Sequence, residues 1–100
     1  MFDSLEWQSP IHGTRFKAYR EGNKQLQLLE LTLEFVEPDW CEKGHVGMVL
    51  NGELEIDFRG NLVRYPEGAA LMIPGRTENG HKARSIAPTT QLFLVEEIET

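Results

Sequence analysis

The chain has 100 residues, of which 40% are hydrophobic and 26% are charged, so we expect one domain spanning residues 1–100. Its 16 acidic and 10 basic side chains give a formal net charge of −6, which would repel a phosphate backbone and argues against a nucleic-acid partner. No apolar run approaches the roughly 20 residues of a membrane span, and the N-terminus lacks a signal-peptide pattern. We therefore expect a cytoplasmic protein, and its sole cysteine is consistent with a reducing compartment.

The first strong pattern is an alternation of apolar and polar residues from Gln25 to Val36. Leu29, Leu31 and Leu33 share one parity, while glutamate and threonine side chains occupy the other. A period of two is typical of a β-strand, whereas a helix would repeat its apolar residues every three and four positions. The pattern predicts a long strand.

Turn-forming residues recur at short intervals along the rest of the chain and divide it into about eight predicted strands. Asn51-Gly52 and Gly60-Asn61 each lie between apolar segments, and we predict a β-hairpin at both. Residues 53–58 alternate in polarity, which predicts one buried face and one solvated face. Without helices to connect parallel strands, this pattern favours an antiparallel sandwich or barrel.

The stretch from Gln91 to Glu96 contains apolar residues at both parities, so we predict a strand that is covered on both faces. A second subunit can provide the second cover, and we expect a homodimer. The acidic residues from Glu96 onward we expect to form a solvated segment.

The stretch from Asp39 to His45 carries the first candidate site residues. Asp39, Cys41 and His45 have the same parity, so on a strand their side chains project from one face. They can bind a divalent metal; the alternative is a turn carboxylate, a buried cysteine and a hydrogen-bonded histidine. A regular strand would place Cys41 and His45 about 13 Å apart, so a shared metal requires a bend between Glu42 and Gly44. The same bend would allow His45 to activate Cys41 as a nucleophile.

A second polar segment contains Asn79 and His81 at matching parity. His81 can provide a second imidazole ligand, and the alternative is a partly exposed histidine among charged neighbours. Lys82 and Arg84 have the opposite parity, so they point outward if His81 points inward.

Together the two segments resemble the cupin superfamily over about residues 35–83. The first cupin motif has the form G-x5-H-x-H-x3-4-E-x6-G, and Gly52 matches its closing glycine. The second has the form G-x5-P-x-G-x2-H-x3-N, and Gly68 and Pro74 match its first glycine and its proline. The resemblance implies an all-β fold: an antiparallel β-barrel of about eight strands, also described as a double-stranded β-helix or jelly roll.

The metal-binding positions of the two motifs carry unusual residues in this chain. Counting from Gly52 and Pro74, these positions do not hold the usual histidines and glutamate. They hold Asp39, Cys41, His45 and Asn79, with His81 two residues beyond Asn79.

Two interpretations of the site follow from this set. In the first, the barrel holds a divalent transition metal such as zinc, iron or nickel through Cys41, His45 and His81. Asp39 is then a fourth ligand or a hydrogen-bond partner of a ligand. A thiolate with two imidazoles suits zinc, and an open fourth position would admit water or substrate. The resemblance implies oxygenase, isomerase or lyase chemistry for such a site.

In the second interpretation, the barrel has no metal and the same side chains line a pocket for a small molecule. Asn79 favours this alternative, because a neutral amide is a weak ligand for zinc or iron. Trp40 and Val49 are further candidates for the wall of the pocket, although Trp40 can equally serve as a packing residue. The protein would then be a ligand-binding or sensing module without catalytic activity.

Overall fold

A computed structural model describes residues 2–37, 39–41, 44–73 and 80–97. These residues form a short 3₁₀ helix at Phe2–Ser4 followed by eight β-strands, the number that the turn signals predict. The strands are β1 (Thr14–Glu21), β2 (Lys24–Thr32), β3 (His45–Asn51), β4 (Glu53–Phe58), β5 (Asn61–Pro66), β6 (Ala70–Ile73), β7 (Lys82–Ser85) and β8 (Thr89–Glu97). The described part of the chain includes no helix with the length and hydropathy needed to cross a membrane.

The strands form two antiparallel sheets, which confirms the predicted all-β class. One sheet has five strands in the order β1-β2-β8-β3-β6, and the other has three strands in the order β5-β4-β7. Side chains from both sheets meet in one hydrophobic core, so the sheets pack face to face. The buried core residues are Leu31, Val49, Leu54, Ile56, Leu71, Ile73, Leu92 and Leu94.

The strand predicted from the alternation of residues 25–36 is confirmed as β2, but it ends four residues earlier than predicted. The strand stops at Thr32, and Leu33 and Val36 beyond it are 60% and 78% exposed. The Thr32 hydroxyl accepts a hydrogen bond from the backbone N–H of Glu34 (3.3 Å) and donates one to the backbone oxygen of Gly13 (3.1 Å). These bonds turn the chain away from the sheet before the alternation ends.

The predicted hairpin near Gly60 is confirmed. Strands β4 and β5 pair directly, with Phe58 opposite Asn61 and only Arg59 and Gly60 between them. Both loop residues have positive φ angles, 56° and 102°, as a type I′ turn requires.

The predicted hairpin at Asn51-Gly52 is wrong. Strand β3 pairs with β6 and β8, whereas β4 pairs with β5 and β7, so the chain changes sheets at this point. Gly52 has a φ of +84°, and a Cβ atom there would lie 2.5 Å from the backbone oxygen of Thr89. The Thr90 hydroxyl bonds to both the N–H (3.1 Å) and the carbonyl (2.9 Å) of Glu53, which anchors the crossing to β8.

Strand β8 lies in the middle of the five-stranded sheet, between β2 and β3. Its inward-facing side chains Leu92 and Leu94 are 4% and 3% exposed. On the other face, the Phe2 ring packs edge-on against Phe93 with ring centroids 6.3 Å apart. The chain's own N-terminal segment therefore supplies part of the cover that we expected from a second subunit.

The outer face of β3 and β6 carries a group of partly exposed apolar side chains, which we call the outer apolar surface. Its members are Val46 (50% exposed), Met48 (40%), Leu50 (41%) and Met72 (83%). These residues alternate with the inward-facing residues of the same strands.

The outer face of the three-stranded sheet departs from the simple prediction of a solvated face. Glu55 points away from the core but is only 6% exposed. Arg64 (Nε to Oε2, 3.3 Å) and Arg84 (Nε to Oε1, 2.7 Å) flank its carboxylate from the two neighbouring strands. Arg84 thus lies on the outer face while His81 is buried, as the parity of β7 predicts.

Candidate metal site

Cys41 and His81 are held together by the backbone. They form an isolated antiparallel bridge in which each N–H donates to the carbonyl oxygen of the other residue, at 2.7 and 3.0 Å. Strand β7 begins one residue after His81, so the bridge continues the edge of the three-stranded sheet. Cys41 is therefore not part of the strand that carries His45. The bend predicted between Glu42 and Gly44 falls on residues 42 and 43, which lie outside the described residues.

His45 enters the site from the opposite sheet, at the first residue of β3. Its Nε2 atom lies 3.8 Å from Sγ of Cys41, and its ring lies at 78° to the His81 ring with centroids 5.2 Å apart. One potential ligand atom from each of the three residues lies within 4.8 Å of the other two. The three side chains therefore converge on one point between the sheets.

His81 carries a buried nitrogen with an unmet hydrogen-bonding need. His81 is 2% exposed, and the Phe58 ring lies 6.0 Å from its ring centroid. Within the described residues, Nδ1 of His81 has no hydrogen-bond partner, whereas Nδ1 of His45 lies 3.4 Å from Oε2 of Glu96. A buried polar atom without a partner is costly, so this arrangement favours an additional ligand at the site.

The protonation of His45 reflects its neighbours. Burial is the largest single influence and lowers the pKa of the imidazole, but hydrogen bonding and charge interactions with Cys41 and Glu96 outweigh it. The net effect raises the pKa of His45 to about 9. Without a metal, the imidazole is a cation beside the Cys41 sulfur and the Glu96 carboxylate.

Glu96 is a site residue that the sequence analysis missed. It lies in β8, as the strand predicted from Gln91 to Glu96 requires, but the expected solvation is wrong: its side chain is only 14% exposed, and its Oε2 atom is 3.4 Å from Nδ1 of His45. The parity of Leu92 and Leu94 was an available signal, because Glu96 continues the same inward-facing series.

The other predicted site residues lie apart from this cluster or outside the described residues. Asp39 is exposed and is not part of the Cys41, His45 and His81 group.

Of the predicted pocket residues, Val49 is completely buried in the hydrophobic core. The ring of Trp40 faces two cations, with Arg59 Cζ at 4.6 Å and Lys82 Nζ at 4.9 Å from its centroid. Asn79 lies outside the described residues. A surface depression of about 300 Å³ also lies away from the cluster, on the outer face of the three-stranded sheet. It is lined by Glu55, Asp57, Leu62, Lys82, Ala83 and Arg84.

The donor set fits a transition metal. Thiolate sulfur and imidazole nitrogen are the donors that zinc prefers, and catalytic zinc sites characteristically have three protein ligands and one open position. The ligand atoms lie up to 4.8 Å from one another, so metal binding would require the three side chains to move closer together.

No family model matches the sequence, and no curated protein matches it. Solved structures match the fold over most of the chain. KdgF from Halomonas sp. superposes with a TM-score of 0.81 and 18% identity, over 100% of this chain and 94% of that one. A cupin-2 domain containing protein from Shewanella frigidimarina gives a TM-score of 0.63 and 23% identity, over 79% and 74% of the two chains. The cupin domain of Schizosaccharomyces pombe Cnp3 gives a TM-score of 0.74 and 12% identity, over 99% and 68%.

These similarities establish the fold: the chain adopts a small cupin fold. They agree with the motif resemblance at Gly52, Gly68 and Pro74. Because a fold supports many chemistries, function has to be argued from the site itself.

Proposed function

We propose that this cupin domain binds one divalent transition metal ion through Cys41, His45 and His81 and binds a small molecule at that metal. The convergence of the three ligand atoms within 4.8 Å, around a buried His81 whose Nδ1 lacks a partner among the described residues, carries the proposal. Zinc is the first candidate because of the mixed thiolate and imidazole donors, with iron and nickel as the alternatives.

The chain's own groups prepare the site for a cation. Cys41 offers a thiolate once its proton is lost, and His45 binds a metal once it gives up the proton that its raised pKa retains. His81 is already buried against Phe58 at the site. Glu96 adds a negative charge 3.4 Å behind His45, which favours a bound cation.

A metal with an open position polarises a bound water or a substrate oxygen, which supports isomerase or lyase chemistry, and a redox-active metal also supports oxygenase chemistry. An enzyme of one of these classes is the activity we propose for the metal-bound protein. The small molecule would bind to the position that the three protein ligands leave open.

The second candidate is a metal-free ligand-binding or sensing module. One observation favours it: the proton held by His45, with a pKa of about 9, balances the charge beside Cys41 and Glu96 without any metal. In that case the same three side chains would bind a small molecule by hydrogen bonds alone.

We also propose a homodimer and a cytoplasmic location. The outer apolar surface supports the dimer, because a second copy of the chain would remove its half-exposed side chains from water. The proposed role of Cys41 supports the location, because a metal-binding thiolate has to stay reduced.

The deciding experiment measures the metal content of protein purified without an affinity tag or chelator, before and after reconstitution with zinc, iron(II) or nickel. The variants are His45→Ala and His81→Ala. The matched control is His12→Ala, because the His12 side chain is 82% exposed and contacts only the exposed Glu34 in the described ion pairs.

We expect about one metal ion per chain in the parent and in the His12 variant, and a loss of metal in the other two variants while their circular dichroism stays β-rich. A parent that binds none of the three metals, or site variants that retain the full amount, would overturn the metal proposal in favour of the metal-free alternative.

A further inference from the structure

A row of polar side chains crosses the five-stranded sheet and ends at His45. Arg20 on β1 lies opposite Gln25 on β2, and Gln25 lies opposite Glu96 on β8. Glu96 in turn reaches His45 on the next strand, β3. Glu96 has the parity of the inward-facing Leu94, so the row runs along the side of the sheet that faces the site.

The members of this row are joined by side-chain contacts. Arg20 Nε donates to Oε1 of Gln25 at 2.8 Å, and Nε2 of Gln25 donates to Oε1 of Glu96 at 3.2 Å. The other oxygen of Glu96 lies 3.4 Å from Nδ1 of His45, and Nε2 of the same ring lies 3.8 Å from Sγ of Cys41. The row therefore connects an exposed arginine to the candidate metal ligands.

The chemistry of the two charged members fixes the direction of every hydrogen bond. A guanidinium group can only donate, so it orients the Gln25 amide with the oxygen toward Arg20 and the NH₂ group toward Glu96. An ionised carboxylate can only accept. Glu96 therefore receives a hydrogen from Gln25 on one side and presents an acceptor to Nδ1 of His45 on the other.

We propose that Glu96 is a positioning residue that keeps the proton of metal-bound His45 on Nδ1 and so leaves Nε2 free to bind the metal. Gln25, oriented by Arg20, donates a hydrogen bond to the other oxygen of the Glu96 carboxylate. The inference rests on the proposed metal site. It assigns a role to Nδ1 of His45, the nitrogen that does not bind the metal. In metal sites generally, such a partner fixes the orientation and proton position of a histidine ligand.

The fixed direction of the hydrogen bonds in this row predicts how Glu96→Gln changes the position of the His45 proton. Gln25 would still present its NH₂ group, so the new side chain has to turn its oxygen toward Gln25. Its own NH₂ group would then face Nδ1 of His45, which would have to accept a hydrogen bond. The proton would move to Nε2, the nitrogen that the metal needs.

A second substitution separates this mechanism from a simple loss of charge. Gln25→Met removes the donor that dictates the orientation, and it changes no charge. In the double variant Gln25→Met/Glu96→Gln, the glutamine at position 96 can turn its oxygen toward Nδ1, and zinc binding should recover. Alone, Gln25→Met should have little effect, because both oxygens of Glu96 still accept.

The test measures the zinc dissociation constant by competition with a chromophoric chelator. The matched control is Glu97→Gln, because Glu97 is the next residue, its side chain is 74% exposed and it pairs with Lys24. We expect Glu96→Gln to weaken zinc binding roughly 10- to 100-fold, the control to leave it unchanged, and the double variant to regain most of the loss. Nitrogen-15 NMR of the zinc-loaded parent should show His45 bound through Nε2 with its proton on Nδ1.

The outcomes separate the two proposals. A parent that binds none of zinc, iron(II) and nickel overturns the proposed function and this inference with it; if it binds only iron(II) or nickel, the same dissociation constants are measured with that metal. A parent that binds zinc overturns this inference alone if Glu96→Gln binds as tightly as the parent, if the double variant is as weak as Glu96→Gln, or if zinc is bound through Nδ1 of His45.

Discussion

Cys41 and His81 face each other across a two-residue bridge in which both backbone N–H groups donate to the opposite carbonyl. Two of the three candidate ligands are therefore fixed by the main chain rather than by side-chain packing. His45 comes from the other sheet, so a metal bound by all three would link the two layers of the domain.

Zinc should accordingly stabilise the folded protein. A ligand that binds only the native state adds about 2.7 kcal/mol at a free concentration 100 times its dissociation constant. We expect the thermal midpoint to rise by several degrees with zinc and to fall back after addition of a chelator. Differential scanning fluorimetry checks this, and an equal rise in His81→Ala would contradict binding at the proposed site.

Bound zinc should protect Cys41 from alkylation. The thiol is the only one in the sequence and is partly exposed, so iodoacetamide should modify the metal-free protein at one position. A thiolate engaged by a metal is a weaker nucleophile. We expect intact-mass spectrometry to show much slower modification with saturating zinc than without it. Equal rates with and without zinc would remove Cys41 from the ligand set.

Gly52→Ala should be strongly destabilising because the crossing between sheets leaves no room for a side chain. The new Cβ atom would lie 2.5 Å from the Thr89 oxygen and 2.6 Å from the Thr90 hydroxyl. Gly68→Ala is the matched control, since its φ of +86° is nearly that of Gly52 at +84° but no atom lies within 4 Å of the added Cβ.

Urea unfolding measures the two costs. We expect about 1 kcal/mol for Gly68→Ala, from the left-handed backbone alone, and about 3 kcal/mol or more for Gly52→Ala. Similar losses of stability in the two variants would show that contact of the new Cβ atom with β8 adds nothing to the cost of the left-handed backbone.

Glu30 should contribute to stability against acid. Hydrogen bonding to Arg15 (2.8 Å), helped by a hydrogen bond from Gln91 (3.0 Å), lowers the pKa of its carboxyl below the ordinary value of 4.5. Because the folded pKa is below the unfolded one, this stabilisation is present above about pH 4.5 and is lost as the pH falls through the folded pKa.

Glu30→Gln should therefore flatten the pH dependence of the free energy of unfolding below pH 4.5, by no more than about 1 kcal/mol, because the Arg15 side chain is 45% exposed and solvent screens the pair. Urea midpoints measured from pH 6 down to about pH 3 test this. A variant curve parallel to that of the parent would show that the pair contributes nothing, and exposed Glu67→Gln serves as the control.

The proposed homodimer should depend on the outer apolar surface. Met72→Lys places a charge on this surface at a position that is 83% exposed, so it should cost the monomer little stability. Light scattering coupled to size exclusion should show a dimer for the parent and a monomer for this variant. Leu62→Lys, at a 58% exposed position on the three-stranded sheet, should stay dimeric. A monomeric parent would refute the dimer.

Period-two alternation and turn chemistry were sufficient to predict the class of the fold and several of its strands. The Arg59-Gly60 hairpin follows from local backbone preference, and β2 follows from the burial of one face. At Asn51-Gly52 the backbone does adopt the turn conformation that the sequence favours, since Gly52 has a positive φ. The pairing that follows depends on the bonds between Thr90 and Glu53, which no local pattern encodes.

The candidate site could be predicted only in part for the same reason. Cys41, His45 and His81 could be named from residue type and motif position, but their approach requires a bridge between distant segments. Glu96 could not be assigned from its acidic neighbours, because its contact with His45 depends on the pairing of β8 with β3. Side-chain chemistry was visible in the sequence, whereas strand register was not.

The central position of β8 affects the order in which the domain can be completed. Strands β2 and β3 belong to the same sheet but do not pair with each other, since β8 lies between them. During synthesis, a chain that has not yet reached Thr89 has no β8, so one edge of β2 and one edge of β3 lack their hydrogen-bonding partner. Such a chain also lacks Glu96. The metal ligands can then be present without the carboxylate that orients His45. Tight zinc binding would therefore indicate that β8 has paired with β2 and β3.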